Sequence, residues 1–130
     1  MRVIAGSARS MPLRTIKGMD VRPTTDRTKE TLFNILQTRV PDCRFLDLFA
    51  GSGSIGIEAL SRGAGHAVFV EKDRRVRKLI EENLVFTKLM DRARVIGGDV
   101  SAVLPQLEGG EPFDIIFMDP PFLKDLERDA

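Results

Sequence analysis

The 130-residue sequence has one cysteine, one histidine and no long apolar run. A lone cysteine, Cys43, excludes an internal disulfide and fits a reducing compartment, here expected to be the cytoplasm. One Cys and one His are too few for a zinc centre, and no metal site is expected. No stretch approaches the roughly 18–20 consecutive apolar residues of a membrane span. The opening MRVIAGSARS interrupts its short apolar patch with Gly and Arg, so no signal peptide is expected. Internal repeats and low-complexity tracts are also lacking. What remains is an ordinary globular composition, 42% apolar and 30% charged, enough for one domain around one core.

Net charge is only +1, yet it is unevenly spread. Residues 1–30 carry seven Lys or Arg against three acids, and the rest of the chain carries 13 against 16. A basic arm on a mildly acidic body points to a polyanionic partner, or to a solvated segment. Residues 2–5 and 13–16 read as short strands of a small hairpin, so the expected division is a basic hairpin arm over 1–20 and a main domain over 21–130. Thr25 or Asp26 can cap a helix running to about Thr38, with Leu32, Phe33, Ile35 and Leu36 on its buried side.

From residue 44 the pattern turns into repeated strand–helix units. RFLDLF, HAVFVE, ARVIGGD and FDIIFMD read as strands. GSIGIEALSRG, residues 73–89 and SAVLPQL read as the helices between them, with Val76, Leu79, Ile80 and Leu84 on one face of the second. Such alternation predicts an α/β, Rossmann-like parallel sheet with helices on both faces and a ligand site at the C-terminal strand ends. Those ends carry Asp47, Glu71, Asp99 and Asp119, four carboxylates expected on one rim.

The first strand leads into DLFAGSGSIG, where Gly51, Gly53 and Gly56 match the dinucleotide pattern G-x-G-x-x-G, with Glu71 placed for ribose hydroxyls. That reading alone gives a nicotinamide or flavin dehydrogenase. Asp47 at the strand tip argues otherwise, because a carboxylate there repels a pyrophosphate and suits a cationic ligand such as S-adenosylmethionine. Gly51 and Gly53 are then expected against the cofactor, and Gly56 in helix–sheet packing. Glu71 can accept from two ribose hydroxyls, and Asp99 from an adenine amino group; capping of the following helix is the plainer role for either. In DPPF, two prolines stiffen the loop and leave the Asp119 carboxylate and Pro120 carbonyl as acceptors for an exocyclic amino group. Phe122 offers a face for base stacking, worth about 1–3 kcal/mol. His66 is expected at the surface and pairs with no nucleophile. The cluster Lys72, Arg74, Arg75, Arg77 and Lys78 reads as a solvated helix face or an extension of a nucleic-acid surface.

Taken together, DLFAGSG, the strand-end acids and DPPF resemble the S-adenosylmethionine-dependent amino-methyltransferases. RPTTDRTKETLFNIL followed by FLDLFAGSGSIGIEALSRGA is similar, more narrowly, to the bacterial methyltransferases of guanine N2 in small-subunit (16S) ribosomal RNA. The resemblance implies direct methyl transfer with Asp119, Pro120 and Phe122 at the target base. It places Thr24 and Thr25 with Asp47, Gly51, Gly53, Glu71 and Asp99 around the cofactor. It also implies RNA contacts from Arg2, Arg9, Arg14 and Lys17, and from Arg22 either an RNA phosphate contact or one to the cofactor carboxylate. In that family the sheet order is 3-2-1-4-5-7-6, so this chain is expected to end after strand 4. Strand 4 would then be an apolar edge open to self-association. Two other readings stay open on the residues themselves: an amino-methyltransferase of DNA adenine or protein glutamine, and a non-catalytic nucleotide-binding module that docks on RNA.

Overall fold

The computed structural model describes residues 1–15 and 25–119. Within them four helices and four strands alternate as the periodicity predicts. They run α1 (Asp26–Leu36), β1 (Arg44–Leu48), α2 (Ser54–Ser61), β2 (His66–Glu71), α3 (Arg74–Phe86), β3 (Ala93–Gly97), α4 (Val100–Leu107) and β4 (Ile115–Met118). The strands form one parallel sheet in the order β3-β2-β1-β4, which is the expected order as far as it goes. This is the α/β, Rossmann-like arrangement expected, over four strands.

Burial follows from the alternation of side chains along each strand. Phe45, Ala67, Phe69 and Ile115 point to the face covered by α1, α2 and α3, where they join Phe33, Ile57, Leu60, Val76, Ile80 and Leu84 in the larger core. Leu46, Leu48, Val68 and Val70 point to the opposite face and pack against Val103 of α4. All four residues expected on the buried face of α3 lie there. At Gly56 a Cβ would stand 2.3 Å from the Phe69 ring, so glycine lets α2 sit directly on β2, as expected. Every residue of α2 is buried. β4 is the outer strand of the described sheet and exposes Ile116 and Met118, the apolar edge that was expected.

Two expectations need correction. Of the four residues expected on the buried side of α1, Phe33 is buried and Leu32 and Leu36 pack partly buried against the core, but Ile35 is 75% exposed and Lys29 is buried in its stead. The residues expected to form a hairpin of two strands make a single antiparallel bridge, Arg2 with Pro12. The bridge is closed by Val3 N to Met11 O (3.0 Å) and Leu13 N to Met1 O (2.9 Å), and it goes no further because the next amides, Ile4 N and Ala5 N, bond to the Glu58 carboxylate.

Residues 1–15 are packed into the larger core through Val3, Ala8 and Leu13. The Glu58 carboxylate of α2 accepts from Ile4 N (2.9 Å) and Ala5 N (3.1 Å). It also pairs with Lys29 Nζ (3.3 Å) and Arg62 Nε (2.8 Å), with Lys29 and Glu58 both fully buried. Lys29 in turn donates to the Arg2 carbonyl. Burial pushes the Lys29 ammonium below its ordinary range, and Glu58 pulls it back.

Candidate functional site at the C-terminal strand ends

The chain leaves β1 through a turn that needs left-handed backbone at Phe49 (φ 57°), Gly51 (φ 55°) and Gly53 (φ 80°). Gly53 is the N-cap of α2. For Phe49 this conformation costs on the order of 1–3 kcal/mol, a kind of strain that concentrates at ligand clamps. Several bonds hold the turn in place. Ala50 N donates to Val70 O (3.0 Å) and Gly53 N to Ala50 O (2.8 Å). Asn83 of α3, 1% exposed, donates to Ser52 O (3.3 Å) and Arg14 O (3.1 Å) and accepts from Arg14 N (2.9 Å). One amide side chain thus ties the turn to the N-terminal segment.

Glu71 ends β2 with both oxygens engaged: Oε1 accepts from Gly51 N (3.1 Å) and Oε2 from Asp73 N (2.9 Å). Each oxygen keeps a second lone pair for a ligand hydroxyl. Asp73 is the N-cap of α3, and Arg77 donates to the carbonyls of Glu71 and Lys72, so the strand end is braced on both sides.

Asp47 lies beneath the turn, 2% exposed, with Oδ2 accepting from Gly56 N (3.1 Å). Its carboxyl is pushed up to about 8, first by burial, against the Gly56 hydrogen bond, and further by the charges of Glu71 and Asp119. Asp119, exposed directly after β4, is therefore an electrostatic neighbour of Asp47. Glu71 and Asp119 stand at the rim, whereas Asp47, expected there as a charged strand tip, is enclosed beneath the turn, where burial keeps its proton on. Asp99 takes the plainer role: it is the exposed N-cap of α4, accepting from Ser101 N and Ser101 Oγ, both at 3.0 Å. Those two bonds hold its carboxyl below the ordinary value.

Thr25 caps α1, its Oγ1 accepting from Thr28 N (3.2 Å). Arg2 pairs with Asp26 (3.0 Å) and Arg14 with Glu82 (3.5 Å), both at the surface, where such pairs hold little energy and yield readily to a phosphate. Arg9 is exposed. Lys17, Arg22, Thr24, Pro120 and Phe122 lie outside the described residues.

Sequence reasoning missed Phe49, Asn83, Glu58 and Ser54. Ser54, the first residue of α2, is buried and its hydroxyl has no protein partner among the described residues. Asn83 and Glu58 depend on partners far away in the chain, so no local pattern marks them. Among the described residues, no group of three or more His, Cys, Asp or Glu is placed to hold a metal ion, and no helix is long and apolar enough to cross a membrane.

Comparison with known proteins agrees with this fold. The family model described as conserved hypothetical protein 95 matches residues 1–130. The ribosomal RNA small subunit methyltransferase D of Escherichia coli K12 is 43% identical over 126 residues, covering 97% of this chain and 62% of that protein. The protein of the same name from Haemophilus influenzae is 41% identical over 131 residues, covering 100% of this chain and 68% of its own. A solved structure of a hypothetical protein from Thermus thermophilus superposes with a TM-score of 0.86 at 41% identity, covering 98% of this chain and 73% of that one. The chain thus spans 62% to 68% of the length of these two curated relatives. The chain belongs to the conserved hypothetical protein 95 family, and it is similar over nearly its whole length to proteins named ribosomal RNA small subunit methyltransferase D.

Proposed function

We propose that this protein transfers a methyl group from S-adenosylmethionine to the exocyclic N2 of a guanine in small-subunit ribosomal RNA. The observation that carries the reading is the rim itself: Glu71 and Asp119 flank a strained glycine turn on a methyltransferase fold. S-adenosylmethionine is the cofactor of this fold, and the residues fit it. Glu71 has free lone pairs for ribose hydroxyls. The unpartnered Ser54 hydroxyl at the start of α2 suits a polar amino-acid moiety.

When bound, the cofactor supplies an electrophilic methyl on a sulfonium, which calls for no Lewis acid. The chain's own task is to hold the acceptor. A guanine amino nitrogen is a poor nucleophile because its lone pair is delocalised into the ring. Asp119 accepts from one amino N–H and the Pro120 carbonyl from the other, which localises that lone pair and fixes its direction. Phe122 stacks the base, which has left its helix or sits in an open loop. Most of the rate enhancement then comes from alignment and preorganised acceptors. Asp99 stays with the adenine end, using the oxygen its cap leaves free. Arg2, Arg9, Arg14, Lys17 and Arg22 hold RNA phosphates. The outer edge of β4, unpaired among the described residues, supports self-association of this chain; light scattering showing a monomer at every concentration contradicts that part.

The test is transfer of labelled methyl to small-subunit RNA or particles, with duplex DNA in parallel. Label in guanine N2 of the RNA is expected. Asp119→Ala should keep cofactor binding and lose transfer. Label in DNA alone, or an unimpaired Asp119→Ala enzyme, overturns the proposal.

A further inference from the structure

The opposite end of the sheet also gathers charge, about 15 Å from the rim by strand length. Arg44 opens β1, His66 opens β2, and Arg94 is the second residue of β3. Arg44 pairs with His66 and Val68 with Arg94, which puts the three side chains on the α4 face. They line a cleft of about 250 Å³ whose other walls include Gln106, Glu111 and Phe113.

The cleft is short of negative charge. The Arg44 guanidinium lies 5.0 Å over the Phe113 ring, and its buried Nε–H has no acceptor among the described residues. Its acidic partner, Glu111, stands at 3.5 Å with its own side chain 77% exposed, beside Gly109 and Gly110. Asp114 is engaged with the Arg44 backbone N–H at 2.8 Å. Arg94 makes no ion pair among the described residues, and it is exposed. His66 is half-buried between the two arginines. Burial, then Arg44 and Arg94, hold its imidazole below the ordinary value, with Glu111 pulling the other way.

We propose that this cleft is a second anion site that takes a phosphate group, with Arg44 and Arg94 as its cationic walls and His66 and Gln106 as further donors. Two guanidinium forks match the geometry of phosphate oxygens. Glu111 is the counter-charge that the ligand displaces. The phosphate comes either from the backbone of single-stranded RNA or from a free phosphate. The site is independent of methyl transfer, so it stands or fails apart from that reading.

His66 is the only histidine in the chain, and its imidazole protons report on the cleft alone. They are followed by NMR while inorganic phosphate, or a short single-stranded RNA, is added; potassium chloride of equal ionic strength is the control. A saturable shift is expected. The His66 titration midpoint should rise as the anion offsets Arg44 and Arg94, the cations that face it. Arg94→Ala should weaken binding roughly tenfold, the worth of one charge-assisted hydrogen bond. Glu111→Gln should tighten it. Saturation by RNA at lower phosphate concentration assigns the site to nucleic-acid backbone, and saturation by inorganic phosphate alone assigns it to a free phosphate. A shift no larger than that in chloride, or one unchanged in Arg94→Ala, overturns the proposal.

Discussion

Glu58→Gln tests how the N-terminal segment is held to the catalytic fold. Glu58 is fully buried, and four donors converge on its two oxygens: Ile4 N and Lys29 Nζ on Oε1, Ala5 N and Arg62 Nε on Oε2. A glutamine keeps the shape but presents an amide N–H₂ to one of those pairs, whichever way it turns. Two donors then lose their acceptor. At about 1.5–3 kcal/mol for each hydrogen bond involving a charge, the loss is about 3–6 kcal/mol. Breaking a buried ion pair from one side costs about 3–5 kcal/mol in other proteins, which agrees. Against a total stability of about 5–15 kcal/mol this is a large fraction. The chain has no Trp or Tyr, so urea unfolding is followed by far-ultraviolet circular dichroism. Adding Lys29→Met to Glu58→Gln should recover part of the loss, because the uncompensated buried ammonium is gone. A Glu58→Gln protein within about 0.5 kcal/mol of wild type, the range of an ordinary surface substitution, refutes the reasoning.

Further outcomes follow from the rim and the core. Asp47 has a folded value raised from 3.8 to about 8. The pH-dependent part of its burial penalty is therefore absent at low pH; it grows as pH rises from about 4 to about 8, where only the unfolded chain is ionised, and is constant above. Asp47→Asn should thus gain stability relative to wild type at about pH 9 compared with about pH 5, by urea unfolding at the two values; an equal difference at both contradicts it. Gly56→Ala drives a methyl into the Phe69 ring and should cost about 1–3 kcal/mol, seen as a lower melting temperature, with Phe69→Leu restoring part of it. Glu71→Gln places an amide N–H₂ against Gly51 N or Asp73 N and should weaken S-adenosylmethionine roughly tenfold in a calorimetric titration.

Much of this was legible in the sequence. His66–Glu71 is a short apolar run behind a glycine, and the strand has those bounds. The 3.6-residue spacing of α3 gave its buried face because that face meets a flat sheet. In α1 the same logic holds for Phe33, Leu32 and Leu36 but not for Ile35, which stays in solvent, nor does it find the buried Lys29. A buried lysine cannot be read from its own helix when the partner acid, Glu58, belongs to α2. The acids of the rim were found, but their roles divided on contacts that the sequence does not show. Asp47 is enclosed under the turn, Asp99 caps a helix, and Glu71 braces the glycine loop. The G-x-G-x-x-G pattern is likewise a statement about backbone: Gly53 supplies the left-handed cap and Gly56 the close packing, and neither names the ligand.

The most direct measurement of the central claim is a calorimetric titration of this chain with S-adenosylmethionine and, separately, with NAD. The account predicts saturable binding of S-adenosylmethionine, weakened by Glu71→Gln, and no heat from NAD. Binding of NAD without S-adenosylmethionine, or an affinity for S-adenosylmethionine that Glu71→Gln leaves unchanged, contradicts it.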